Sequence, residues 1–320
     1  MTSHVDPELL APLEDFLTLL GGSFDLHDIP KVRATSDQMT AAMKAQLPPF
    51  EGVTTEERQV PGSESAPDVA VRIYHPTERP GTLPALLWIH GGGYVLGTVE
   101  DDDLYVNELV KAVECIAVSV EYRLAPEHPF PAPVEDCYAV LKWLATHATE
   151  LGVEQNRIAI GGASAGGGLA AGLALLARDR AEVNVAFQLL IYPMIDDRNV
   201  AQANETVPDT LLWSRENNLI GWQSYLGGEP GGEDVPAYAA AFRATDLTGL
   251  PPTYIPVGEL DLFLHENIAY AQRLLQAGVP TELHVYPGAY HGFDIFAPNS
   301  DVGQRFTADR NHVLKRAFHN

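Results

Sequence analysis

Residues 156–178 run from a strand into a helix through a single serine. NRIAIGG (156–162) is a short apolar run, GGGLAAGLALLA (166–177) is helical in pattern, and Gly162-Ala163-Ser164-Ala165-Gly166 joins them. A strand that turns so abruptly into a helix strains the backbone at the serine and needs glycines two before and two after, where neighbouring main chain comes close. The hydroxyl is then held out at the strand's end. The helix N-terminus behind it offers unpaired N–H groups and the positive end of a dipole, which favour a developing oxyanion. GGASAGGG lacks the lysine of a phosphate-binding loop, and its glycines are off the dinucleotide spacing.

The same strand-then-helix order extends through the chain. VAVRIY (69–74) alternates at period two. PALLWIH (84–90), CIAVSV (115–120), NRIAIGG (156–162), VAFQLLIYP (185–193) and PPTYIPVG (251–258) read as strands buried on both faces, and TELHVYP (281–287) is the last. Helical patterns lie between and after them at 104–113, 134–148, 166–178, 265–277 and 302–318. This βαβα order predicts an α/β fold with a mostly parallel sheet covered by helices on both faces. Two stretches fall outside it. Residues 1–50 read as helical, with Leu9, Leu10, Leu13, Phe16, Leu17 and Leu20 at helical spacing, and 196–250 is too long for a connection and contains the aromatic-rich helical pattern LLWSRENNLIGWQSYL (211–226). Both are expected to form a helical cap, giving cap helices at 1–50, a core at 51–195, a cap insertion at 196–250 and the rest of the core at 251–320. The competing arrangement lays the N-terminal helix on the back of the sheet.

With 43 acidic and 20 basic residues the formal charge is −23, a field that repels nucleic acid and anionic lipid surfaces. No stretch reaches the roughly 18 apolar residues of a spanning helix, and Met1–Leu10 carries Asp6 and Glu8 with no basic leader, so the expected location is cytoplasmic. Cys115 and Cys137, both in apolar context, are expected as buried reduced thiols. The eleven histidines are scattered without metal-ligand spacing, and EDDD (100–103) reads as a solvated helix start.

A second chemical signal is His90-Gly91-Gly92-Gly93 at the end of PALLWIH. Successive glycines leave peptide N–H groups unshielded, as an oxyanion site requires, while His90 is expected to brace the loop through its ring nitrogens. A nucleophilic serine also needs a neutral histidine oriented by a buried carboxylate, and in this chain order the acid and then the histidine follow the serine. The candidate acids after Ser164 are Asp261, Glu259 and Glu266; the candidate bases are His291, His265 and His284.

HGGGYVLG (90–97), VSVEYRLAPEHPFPAPVEDCYAVLKWL (118–144), GGASAGGGLA (161–170), YPMID (192–196), ELD (259–261) and YPGAYHGF (286–293) together resemble the hormone-sensitive lipase family of α/β-hydrolases, in particular its bacterial carboxylesterases. The resemblance implies the α/β-hydrolase fold with an eight-stranded sheet and a cap. It also implies Ser164 as nucleophile, His291 as base and Asp261 as its partner. Backbone donors at Gly92, Gly93 and Ala165 would form the oxyanion hole, with Gly91 shaping the turn. Ala163 stands where the family usually has Asp or Thr, and Asp261-Leu262-Phe263-Leu264-His265-Glu266 departs from its usual D-P-L-x-D-E. The expected activity is hydrolysis of short-chain acyl esters, with no cofactor required. A small-molecule ester is the expected partner, with no nucleic acid and no membrane, and a homodimer is allowed. An amide or lactam hydrolase would use the same triad. A non-catalytic small-molecule receptor on this fold would dispense with the histidine, and His291 speaks against it.

Overall fold

The computed structural model describes residues 4–19, 25–63, 66–78, 81–200 and 211–319; Leu20 of the N-terminal stripe and residues 201–210 of the insertion lie outside them. The chain opens with helices α1 (Pro7–Leu19) and α2 (Ile29–Lys44), followed by strands β1 (Val53–Val60), β2 (Val69–Pro76) and β3 (Leu83–Ile89). Helix α3 (Asp103–Val113), β4 (Ile116–Val120), α4 (Ala132–Thr146), the one-turn α5 (Ala148–Leu151), β5 (Val153–Ala163), α6 (Ala165–Arg180) and β6 (Phe187–Ile191) complete the first part of the core. After α7 (Arg215–Leu226) come β7 (Thr253–Gly258), α8 (Leu264–Gln276), β8 (Thr281–Tyr286), the short α9 (Phe293–Phe296) and α10 (Asp301–His319).

The strands form one eight-stranded sheet in the order β1-β2-β4-β3-β5-β6-β7-β8. β2 pairs antiparallel with both β1 and β4, and every other pairing is parallel. Seven of the strands match the runs read from sequence, and β1 is the exception. Its residues VTTEERQV bury only the two terminal valines, so no apolar alternation announces it. Its charged side chains protect the exposed edge of the sheet, the usual way such an edge is kept from pairing with another chain.

Alternate strand residues feed two apolar layers. Leu87, Ile89 and Ile160 face α4 and α6, while Leu86, Trp88 and Leu189 face α3 and α10. The parallel register brings the strand ends level: Ile89 pairs with Gly162, Ala163 with Ile191, and Gly258 with Tyr286. The loops that leave β3, β5, β6, β7 and β8 therefore emerge at one edge, where open α/β sheets carry their sites. Cys115 and Cys137 are buried free thiols, and burial pushes Cys115 up to about 12.

The acidic run at 100–103 does start a helix, but it is not simply solvated. Asp102 Oδ2 accepts from Trp88 Nε1 at 2.6 Å and Asp103 Oδ1 from Tyr74 Oη at 2.7 Å; only Asp101 of the four is exposed. The aromatic donors that hold these carboxylates come from strands distant in sequence.

Candidate active site

Ser164 has φ 56° and ψ −119°, a conformation that costs a non-glycine residue on the order of 1–3 kcal/mol and persists only where the surroundings enforce it. Three backbone hydrogen bonds do so. Ser164 N donates to Ile191 O at 2.9 Å, and Ser164 O accepts from Gly168 N and Met194 N at 2.9 and 3.0 Å. Gly166 is needed for the close approach, since a Cβ there would lie 2.0 Å from Ile89 O and 2.4 Å from His90 O. The turn is thus wedged against the end of β3, and α6 begins at Ala165, whose N–H has no intrahelical acceptor.

The glycine loop after β3 lies against the serine. A Cβ on Gly91 would sit 3.6 Å from Ser164 Cβ. Gly92 has φ +113°, and a Cβ there would strike Leu96 O at 2.2 Å; its own carbonyl is held by Val95 N and Leu96 N in a tight turn. His90 Nδ1 donates to Gly91 O at 2.8 Å, its ring stacks on Tyr122 with centroids 4.2 Å apart, and Tyr122 Oη donates to His90 O. Burial pushes His90 down to about 4, so it is a neutral brace at neutral pH.

The loops after β7 and β8 are zipped together. Glu259 N donates to Tyr286 O and Leu260 N to Ala289 O, each at 2.9 Å. That lacing carries Asp261 and His291 to the serine. Asp261, fully buried, accepts from Phe263 N through Oδ1 at 2.8 Å, and its Oδ2 lies 2.7 Å from His291 Nδ1. A carboxylate only accepts, so Nδ1 carries the proton and Nε2 is left as an acceptor, 2.9 Å from Ser164 Oγ. The rings of Tyr192 and Phe263 meet the imidazole edge-on, with centroids at 4.7 and 5.2 Å.

The other candidates lie elsewhere. Glu259 is exposed and accepts from Gly288 N; His265 is exposed; His284 is beside Glu282 and Asp309 on the edge strand β8. Glu266 is buried, and its carboxylate accepts from Ile195 N, Asp196 N and Asn199 Nδ2, anchoring the start of the insertion. Burial pushes its carboxyl well above the usual range.

Trp213 and α7 belong to the aromatic-rich pattern read at 211–226; what sequence reasoning missed is their fit on Gly93 and Tyr94. Trp213 sits so close that a Cβ on Gly93 would lie 2.2 Å from its ring, and Gly221 of α7 leaves room for Gly93 O at 2.9 Å from its missing Cβ. Tyr94 stacks on Tyr225 of α7 at 4.0 Å and donates to Met194 O. A lone glycine inside a helical pattern was the available signal, because it lowers helix stability and needs a packing reason. The N-terminal segment reaches both loops: Tyr290 Oη donates to Leu9 O, Phe16 packs on Phe296 at 4.4 Å, and Leu26 N donates to Asn217 Oδ1 of α7. Among the described residues no helix is long and apolar enough to cross a membrane.

A family model of the alpha/beta hydrolase fold matches residues 86–295, which include every loop just described. Carboxylesterase NlhH of Mycobacterium tuberculosis is 36% identical over 271 residues, covering 82% of this chain and 83% of that protein. Esterase LipI of the same species is 37% identical over 228 residues, covering 70% of this chain and 71% of that protein. A solved bacterial heroin esterase superposes with a TM-score of 0.93 at 45% identity, covering 99% of both chains. The chain belongs to the hormone-sensitive-lipase-like family of the α/β-hydrolase fold and is a carboxylic ester hydrolase.

Proposed function

We propose that the ester is cleaved through an acyl-enzyme on Ser164, with His291 as general base and Asp261 as the carboxylate that orients it. The observation that carries this reading is the pair of hydrogen bonds from Ser164 Oγ to His291 Nε2 at 2.9 Å and from His291 Nδ1 to Asp261 Oδ2 at 2.7 Å. Ser164 Oγ attacks the ester carbonyl as its proton passes to Nε2. The tetrahedral oxyanion is received by N–H groups of Gly92, Gly93 and Ala165, each such donor being worth about 10²–10³ in rate. The imidazolium returns its proton to the departing alcohol. Water then repeats the sequence on the acyl-serine and releases the acid. His90 and Gly91 hold the loop in shape without touching the reacting atoms.

Residues 1–50 and 196–250 act in this reading as a cap that favours short acyl chains. In support, Trp213 presses on Gly93, Leu212 approaches Gly292, and Ser164 is only 8% exposed. Initial rates on aryl esters from acetate to laurate test the preference, with heroin and a matched anilide in the same panel. A steady fall with chain length is expected, with the anilide slower than its ester. A maximum at laurate contradicts the short-chain reading, and an anilide faster than its ester would make the enzyme an amidase. Assembly as a homodimer belongs to the same proposal. Light scattering at twice the 34.8 kDa chain mass would support it, and a monomer at all concentrations would end it.

A further inference from the structure

A buried carboxylate that the reaction scheme leaves unused stands three residues after His291. Asp294, in the first turn of α9, is 5% exposed; its Oδ1 accepts from Tyr192 Oη at 3.0 Å, and among the described residues no donor reaches its buried Oδ2. A charged group placed so is costly unless something nearby uses its charge. Tyr192, itself buried, follows β6 directly with φ 33°, and its ring meets the His291 imidazole edge-on at 4.7 Å. Asp294 therefore reaches the imidazole in two ways, through the chain of α9 and through the tyrosine ring.

The groups around it leave a surplus of negative charge. The residue before α3, Asp102, is bound to Trp88 Nε1 of β3, and α3 itself brings Tyr105. From α10 comes Arg310, 2% exposed, with its guanidinium 4.4 Å over the Tyr105 ring and donating to Asn311 Oδ1. Among the described groups that act on Asp294, the cations are Arg310 and, when protonated, His291. Two carboxyl groups thus share one guanidinium until the base takes up the serine's proton. Burial raises Asp294 to about 6 and Asp102 to about 7, so of the two Asp294 keeps the larger share of its charge at neutral pH.

We propose that Asp294 is a second positioning carboxylate for His291: through the Tyr192 ring it fixes the imidazole, and its charge favours the imidazolium formed when Ser164 gives up its proton. This rests on the Ser164–His291–Asp261 reading. Asp294 touches no reacting atom, so its removal acts on turnover rather than on substrate binding.

Steady-state kinetics from pH 5 to 9 on a short aryl ester test it, with thermal melting to confirm folding. In Asp294→Asn, kcat is expected to fall about tenfold with KM within about twofold of wild type. The acid limb of kcat/KM should move to lower pH by roughly half a unit, since a nearby negative charge has gone. Asp294→Glu, which keeps the charge, should retain the wild-type limb. An unmoved limb in folded Asp294→Asn overturns the proposal even if kcat falls, because a merely structural role loses rate without moving it. Should Asp294→Asn fail to fold, Tyr192→Phe decides: without its donor Asp294 is neutralised more easily, so a fall in kcat at constant KM together with an acid limb moved to lower pH supports the proposal, and wild-type kcat or an unmoved limb rejects it. Ser164→Ala in the same assay separates the two levels. Turnover retained there removes the triad reading itself, whereas a dead Ser164→Ala beside an unmoved limb removes only the role of Asp294.

Discussion

The serine turn and the segments that cover it are held by different kinds of information. Around Ser164 the constraint is local and steric: Gly162, Gly166 and Gly92 each have backbone oxygens within 2.0–2.4 Å of where a Cβ would be. Few sequences satisfy such contacts, so the turn is written in a handful of adjacent residues. The covering segments have no such signature. Leu26 meets Asn217 and Tyr290 meets Leu9 across 191 and 281 residues of chain, and Trp213 is fixed by its fit on Gly93. In the proposed reading the first region decides whether chemistry occurs, and the second is expected to decide on what. Substitutions in the two should therefore differ in kind, the former reducing rate on every ester and the latter changing relative rates.

The largest effect short of removing the nucleophile should come from Asp261→Asn, which permits the wrong imidazole tautomer and should cost about 10²–10⁴ in kcat across all acyl lengths. Glu259→Gln, at an exposed side chain that accepts from Gly288 N, should leave kcat within about twofold. A reversed order in parallel kinetics would place the orienting acid elsewhere.

Gly221→Ala is the sharpest probe of the seam between the regions. Alanine is the better helix former by about 1 kcal/mol, yet its Cβ would meet Gly93 O at 2.9 Å and push α7 or the glycine loop aside. The expected outcome is a loss of roughly tenfold in kcat on all esters, because the loop proposed to bind the oxyanion is displaced. Wild-type kcat with altered chain-length preference would show that the seam belongs to the cover alone.

Deleting residues 1 to about 30 removes α1 and should lower rates on acetate esters more than on laurate, with apolar surface exposed and solubility reduced. α1 packs on Tyr290 and Phe296, beside the loop that carries His291, and its Leu9 and Leu13 share an apolar layer with Leu211. An unchanged chain-length profile in a less stable protein would make α1 an ordinary covering helix.

The smallest effect concerns stability. Asp102 is held at about 7 by burial, against an ordinary value of 3.8, so between those values the unfolded chain has lost the proton that the folded chain keeps. Stability from this group is full at low pH and is lost as pH rises through about 7. Asp102→Asn keeps an acceptor for Trp88 Nε1 and should raise Tm at pH 8 by about 1–3 °C, with no gain at pH 4. An equal gain at both pH values would mean that the charge is not the cause.

The same contrast explains what could be read from the chain before its structure. Seven strands and the major core helices follow from apolar runs between glycine and proline punctuation, and the glycine-flanked Ser164 follows from the backbone it must adopt. β1 was silent because its edge position needs charges rather than apolar alternation. The choice among Asp261, Glu259 and Glu266 was open in the residues alone, since it depends on how the β7 and β8 loops lace together. Asp294 and Tyr192 were silent too. The groups that act on them include Arg310 and Asp102, brought near only when α3 and α10 close on one face of the sheet.

Covalent labelling by an organophosphate, followed by peptide mapping, tests the central claim most directly. The Ser164–His291–Asp261 account predicts one phosphoryl adduct per chain, on Ser164, appearing as activity disappears, with neither labelling nor turnover in folded Ser164→Ala. An adduct on any other serine, or turnover that survives in Ser164→Ala, would contradict it.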